Sequence, residues 1–288
     1  MTLHVPDQHD PTSFDYSELP PWIQPFEGGD PKQSLRDVRS IIENAIVNHP
    51  RSLQKRIGPS EIGNPCDHCL AAKLAGWQET ERGIPWLTTI GTAVHAWCED
   101  VFNLHESDRN ALHTTGRRWL SEQKVMVGHI GATEVWGSTD LVDVVTGTVI
   151  DFKVVGASTL RTAKAGPSAV YRVQADLYAK GWNDSGHRIE HVAIAYLPRN
   201  AQSLDDAIWW SAPHDRGRAE RALERANQLH TNILALASIS VGARDAWITS
   251  LPRAPRCWDC ARYSDGIGMT APGHRDPVDS LAGLIPAA

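Results

Sequence analysis

The stretch that most constrains this chain is Gly137 to Val155, GSTDLVDVVTGTVIDFKVV. Two apolar, β-branched runs flank Thr146-Gly147-Thr148, a pattern that predicts a β-hairpin. In the second run Ile150, Phe152 and Val154 alternate with Asp151, Lys153 and Val155. Alternate residues of a strand share a face, so Asp151 and Lys153 point the same way. Asp140 opens the first run and can lie close to Asp151 across the ladder. Two carboxylates and an ammonium then converge beside a hydrophobic layer. Carboxylate oxygens suit Mg²⁺ or Mn²⁺, and a lysine beside them can hold or activate a water, or offset charge developing on a phosphate. A strand whose outer face carries Asp and Lys is, taken alone, usually just solvated.

Around this hairpin the chain alternates helical and extended patterns. Residues 1 to 30 are rich in Pro, Asp and Ser without periodicity and read as a mobile or surface-hugging tail. Ser34 to Asn48 carries Leu35, Val38, Ile41, Ile42, Ala45 and Ile46 at helical spacing. A basic segment with Arg51, Lys55 and Arg56 leads to a turn at Gly58-Pro59, and Cys69 to Leu74 reads as a short helix ended at Gly76. Thr88 to Leu104 predicts a helix with Ile90, Val94, Trp97, Val101 and Leu104 on its apolar side. A further helical piece is expected near Arg109 to Leu120, then strands at Gln123–Val127 and Thr133–Trp136. Beyond the hairpin come a helix from Ala169 to Trp182, closed near Gly181, and strands at His191–Leu197 and Ala207–Ser211. A long helix after Asp215 follows, in which Arg216, Arg218, Arg221 and Arg225 form a basic stretch that would ordinarily be a solvated face. A loop-like end leads to a tail from about Ser264. Helices on both sides of a central β block indicate an α/β sandwich with a mixed sheet.

Length and composition fit such a domain. At 288 residues, 41% hydrophobic and 22% charged, the chain is that of an ordinary globular protein with room for a substantial core. No run approaches a transmembrane helix, and the acidic, proline-rich start lacks the form of a signal peptide. A cytoplasmic, reducing setting is expected, in which the five cysteines serve as thiols or metal ligands. A net charge of −6 argues against non-specific coating of nucleic acid but leaves room for a local basic groove.

Three further constellations carry chemistry. Gly91-x-x-x-His95-x-x-x-Glu99 lies inside the helix from Thr88, with His95 and Glu99 on one face and Gly91 leaving space one turn earlier. Imidazole is a reasonable third ligand beside two carboxylates; a half-buried histidine with an ordinary hydrogen bond is the plain alternative. Gln174-x-x-x-Tyr178 places an amide and a phenol one turn apart, where they can bond a water, a phosphate or a base edge. Cys66-x-x-Cys69 and Cys257-x-x-Cys260 are two pairs near opposite ends of the domain. Four thiolates complete either Zn²⁺ or a [4Fe–4S] site and would clasp the N- and C-terminal parts together. His68 is a substitute ligand within the first pair, and Cys98 reads as a core thiol.

In order, these pieces resemble the PD-(D/E)xK nuclease superfamily, in particular its RecB-like exonuclease branch, over about Gly58 to Cys260. Gly91-x-x-x-His95 looks like the family's histidine motif, Gly137-Ser-Thr-Asp140 like its second motif, Asp151-Phe152-Lys153 like the (D/E)xK element, and Gln174-x-x-x-Tyr178 like its QxxxY motif. The resemblance implies a PD-(D/E)xK-type sandwich, with a nuclease domain spanning 31–264 and a C-terminal tail over 265–288. It also implies that His95, Asp140, Asp151 and the Phe152 carbonyl hold one or two Mg²⁺ or Mn²⁺ ions. Lys153 would activate the attacking water, and Gln174 and Tyr178 would place the strand or the lysine. The expected activity is metal-dependent exonuclease hydrolysis of DNA, on single strands or ends. The setting would be recombination or repair in a bacterial or phage-infected cell, with recombination proteins as partners. The resemblance favours [4Fe–4S] at Cys66, Cys69, Cys257 and Cys260, although iron–sulfur relatives usually split their cysteines one and three, and a two-and-two split equally suits Zn²⁺. A non-catalytic nucleic-acid-binding module with a structural Zn or Fe–S site is the competing expectation.

Overall fold

The structure is a computed structural model that describes residues 30–49, 57–80, 83–111, 116–255 and 257–263. The expected N-terminal tail, the basic segment with Arg51, Lys55 and Arg56, and the tail from Ser264 lie outside the described residues. The chain divides into two compact units, one ending at Asn48 and the other beginning at His49. In the first, helix α1 (Pro31–Val47) starts where Pro31 occupies the first turn and the Asp30 carboxylate accepts from the Lys32 N–H at 2.9 Å, an N-cap of the usual kind. Leu35, Val38 and Ile41 of its apolar stripe are exposed, while Ile46 is buried.

The second unit holds a five-stranded sheet in the order β1 (Trp119–Ile130), β2 (Thr133–Asp143), β3 (Thr148–Val155), β4 (His191–Pro198) and β5 (Ile208–Pro213). All pairings are antiparallel except β3 with β4. A parallel neighbour requires a crossover, and helices α5 (Ala157–Ala163) and α6 (Ala169–Asp184) supply it. The α/β sandwich with a mixed sheet is therefore the architecture observed.

Strand alternation divides the apolar side chains between two faces. Val142, Val149 and Val192 join the main core with Ala175, Leu177 and Ala179 of α6 and Leu223, Ala226 and Ile233 of α7 (Arg216–Ala237). The same core includes Leu70, Ala71 and Leu74 of α3 (Asp67–Leu74), which follows the short α2 (Pro59–Ile62), and Ile248 of α8 (Val241–Ser250). Leu141, Phe152 and Ala195 point the other way, against Val94, Cys98 and Phe102 of α4 (Trp86–Ala111). Cys98 is thus a core thiol, as its position beside Trp97 suggests.

Four local expectations are corrected. Helix α4 runs from Trp86 to Ala111 and β1 begins at Trp119, so the described residues of the expected Arg109–Leu120 helix belong to the end of α4, a bend at Gly116 and the start of β1. Its inward stripe is Val94, Cys98 and Phe102, whereas Trp97 and Leu104 are each 64% exposed; an apolar helix can offer two stripes, and the sheet chose one. Gly181 does not close α6, which continues to Asp184. It is there because a Cβ at this position would stand 2.6 Å from the Met126 carbonyl oxygen of β1. The arginines of α7 are not simply solvated: Arg218 pairs with the fully buried Asp176, Arg216 with Asp184, and Arg225 with Asp67 at 3.0 Å. No helix among the described residues is long and apolar enough to cross a membrane.

Candidate active site and cysteine cluster

The hairpin forms, but β2 and β3 pair only from Leu141↔Ile150 to Asp143↔Thr148. Beyond Leu141 the strands part, and the Phe152 N–H that a continuing ladder would consume is taken instead by the Asp140 carboxylate at 2.7 Å. The other Asp140 oxygen lies 3.3 Å from His95 Nδ1. Helix α4 delivers that imidazole, whose ring sits edge-on to Phe152 with centroids 6.2 Å apart. Glu122 of β1 completes the group, so that one ligand atom each from His95, Glu122 and Asp140 lie within 4.8 Å of one another.

Glu122 is the residue that sequence reasoning missed. It has φ +48°, the one described non-glycine residue with positive φ, and its carboxylate accepts from the Ser138 hydroxyl at 2.6 Å. A glutamate in this backbone region is strained, and such strain gathers at functional sites. The sequence signal was slight, an acidic residue just ahead of an expected strand. Glu99, which shares a turn with His95, is not in this group.

Asp151 and Lys153 do share a face, with Lys153 Nζ 2.7 Å from Asp151 Oδ2. Burial pushes the Asp151 carboxyl up to about 6; Asp140 adds to the rise, while Lys153 and His95 oppose it. Burial works against charge on Lys153, but Asp151 and Asp140 outweigh it and hold the ammonium above its ordinary range. Gln174 Oε1 accepts from Lys153 at 3.0 Å, and the Tyr171 ring lies under the ammonium at 4.7 Å. Because its oxygen faces Lys153, Gln174 presents its amide nitrogen to the Tyr178 hydroxyl, 3.5 Å away. The Tyr178 hydroxyl is itself pushed up, mainly by burial. Gly137 makes room for this ring: a Cβ there would meet Tyr178 Cε1 at 2.6 Å and Pro59 Cγ at 2.7 Å. The structure thus brings His95, Asp140, Asp151, Phe152, Lys153, Gln174 and Tyr178 into one continuous constellation. For Phe152 the contact shown is through its N–H.

The donor set fits a hard divalent cation. Two carboxylates and one imidazole can share an ion and leave positions for water. Burial raises the Asp151 pKa and the Asp140 charge adds to it; positive charge beside the two carboxylates would relieve both costs. Gly91, one turn before His95, has open space where its Cβ would be.

The four cysteines also meet. Cys66 Sγ lies 3.5 Å from Cys260 Sγ, and Cys69 Sγ lies 3.6 Å from Cys260 Sγ and 3.7 Å from Cys257 Sγ. Cys66 caps the start of α3, and a 3₁₀ turn over Trp258–Arg262 carries Cys260. The clasp between the two ends of the domain is observed. Its rim is stitched by Asn64 Nδ2 to Asp259 at 3.0 Å and the Tyr263 hydroxyl to Glu79 at 2.9 Å. Burial opposes ionisation of Cys66, but backbone bonds from Ala254 and Cys69 and the Cys69 and Cys260 thiols hold its pKa below the ordinary thiol value. Cys260 is pushed up to about 11, first by burial.

No protein-family model matches the chain, and no curated protein matches it. Among solved structures, an alkaline exonuclease (LHK-Exo) from Laribacter hongkongensis is 12% identical with a TM-score of 0.40, covering 67% of this chain and 94% of that one. The same exonuclease in complex with dAMP gives 13% and 0.38 over the same shares of 67% and 94%. A structure described as a putative exonuclease from Eubacterium rectale is 14% identical with a TM-score of 0.40, over 75% of this chain and 90% of that one. These superpositions are loose, and the functional reading rests on this chain's own residues.

Proposed function

We propose that this chain is a metal-dependent DNA exonuclease of the PD-(D/E)xK superfamily, RecB-like branch, hydrolysing phosphodiester bonds of single strands or ends. The observation that carries the reading is the convergence of His95, Glu122 and Asp140 where β2 and β3 part, with Asp151 and Lys153 alongside. His95, Glu122, Asp140 and Asp151, with the Phe152 carbonyl, would hold one or two Mg²⁺ or Mn²⁺ ions. Such an ion, when bound, lowers the pKa of water and neutralises charge on the phosphate. Lys153 stays protonated and is fixed by Asp151 and Gln174, so its ammonium can orient the attacking water and face a phosphate oxygen. Tyr178 and Gln174 keep that lysine in place and border the path of the strand. Recombination or repair in a bacterial or phage-infected cell, beside recombination proteins, is the setting that suits this activity.

The test is digestion of end-labelled single-stranded DNA with Mg²⁺ or Mn²⁺, wild type beside Asp151→Ala. Metal-dependent loss of label by the wild type, absent from the variant, is the expected result. No cleavage by folded, metal-supplied wild type would overturn the reading in favour of a binding module.

A further inference from the structure

The sulfur positions speak to what the cysteine cluster holds, independently of the nuclease reading. In a tetrahedral site with metal–sulfur bonds of about 2.3 Å, any two sulfurs stand about 3.8 Å apart. The separations Cys66–Cys260, Cys69–Cys260 and Cys69–Cys257, at 3.5, 3.6 and 3.7 Å, match that edge. A cubane binds each cysteine to a different iron, with a full iron–iron edge between them, so its sulfurs lie much farther apart. Sulfurs in contact leave no volume for four irons and four sulfides. The [4Fe–4S] expectation does not fit these residues.

We propose that Cys66, Cys69, Cys257 and Cys260 hold one tetrahedral ion, and that this ion is zinc. The backbone supports the assignment. Each pair is a Cys-x-x-Cys step beside a single turn: Cys66 precedes the first turn of α3, and Cys257 precedes the turn over Trp258–Arg262. Two such steps placed face to face supply four thiolates, the closed donor set of a structural zinc site, with Cys69 in contact with both members of the second pair.

His68 lies close enough to compete as a ligand: a ring nitrogen and the Cys66, Cys69 and Cys260 sulfurs all lie within 4.8 Å of one another, whereas Cys257 meets the cluster through Cys69 Sγ at 3.7 Å. Its hydrogen bonds argue for a supporting role. The Arg253 guanidinium stands 3.4 Å from His68 Nε2, and a guanidinium only donates. Nε2 therefore accepts, and Nδ1 carries the proton. That nitrogen lies 3.9 Å from Cys69 Sγ, where an N–H···S contact steadies a thiolate ligand. His68 is fully buried, so no solvent competes for the contact. Arg253, His68 and Cys69 form a relay that tunes the ion without binding it.

The experiment uses the full chain, produced in medium containing both iron and zinc and purified without oxygen. Metal and acid-labile sulfide are measured per chain. One zinc with no labile sulfide is the expected result. About four irons with matching sulfide, or no metal at all with four titratable thiols, would overturn the proposal. Cys257→His guards against a variant that merely fails to fold, because imidazole can replace one thiolate in a tetrahedral site. After exchange into cobalt(II), this variant should keep one ion per chain and lose about a quarter of the thiolate-to-cobalt absorption. An unchanged spectrum would mean that Cys257 is not a ligand. Nuclease activity enters none of these readouts.

Discussion

With Asp151 among the metal ligands as proposed, its buried carboxyl makes metal uptake proton-linked, because a carboxylate must shed its proton before it can ligate. With its pKa pushed up to about 6, the protonated fraction in the metal-free protein is about 0.9 at pH 5, about 0.5 at pH 6 and about 0.1 at pH 7. Each Mn²⁺ bound should release that many protons from Asp151. The apparent affinity at pH 5 should lie about elevenfold below its high-pH limit, which is about 1.4 kcal/mol. The sign on stability follows from the same shift. A raised carboxyl contributes stability that is full below the ordinary value of 3.8 and lost as pH rises through about 6. The metal-free protein is therefore penalised at pH 7 through this group, and Mn²⁺ relieves the penalty. The assay is calorimetric titration of Mn²⁺ into metal-free protein at the three pH values, in two buffers of different ionisation enthalpy. Other groups exchange protons too, so the quantity of interest is the difference from Asp151→Asn, which retains His95, Glu122 and Asp140 for the ion. A wild-type excess near 0.9 proton at pH 5, shrinking towards 0.1 at pH 7, is expected. An excess near zero at pH 5 would refute the placement of Asp151 against the metal.

Two substitutions test the scaffold. Gly181→Ala gains about 1 kcal/mol of helix propensity but drives a methyl group to 2.6 Å from the Met126 carbonyl oxygen, an overpacking cost of about 2–3 kcal/mol. The net loss of about 1–2 kcal/mol should lower Tm by about 3–7 °C, and a rise in Tm would mean that α6 does not press on β1 there. Arg225→Ala strips a partner from Asp67 and from the Ile62 and Asn64 carbonyls. It should cost about 2–3 kcal/mol, read as a Tm drop of about 5–10 °C; a Tm within a degree of wild type would reduce Arg225 to a surface charge.

The hairpin, α6, β4, α7 and the pairing of the cysteines were legible because each is written in local periodicity or spacing. Glu122 was not. Its backbone turns to φ +48° within a strand held by pairing with β2, and neither fact is encoded in the residues beside it. Gly181 looked like a helix stop because glycine usually is one; the reason for it lies about fifty residues away in β1. The short helices α5 and α8 escaped notice for lack of enough turns to show a period. On α4, two apolar stripes competed in the sequence, and only the sheet's own face decided which was inward.

The clasp joins residues that are 191 positions apart, Cys69 to Cys260, whereas Asp140 meets Phe152 across only 12. During synthesis, then, the hairpin and the carboxylates around it are complete long before the second cysteine pair leaves the ribosome. The nascent chain carries one pair of thiols with no partner for most of its elongation, exposed to oxidation and to stray metal. Under the zinc assignment proposed above, closure is a late event that depends on the cell's supply of free ion at that moment. On that assignment, metal starvation should leave a protein whose His95, Asp140 and Asp151 are assembled but whose two ends are unfastened, marking it for proteolysis.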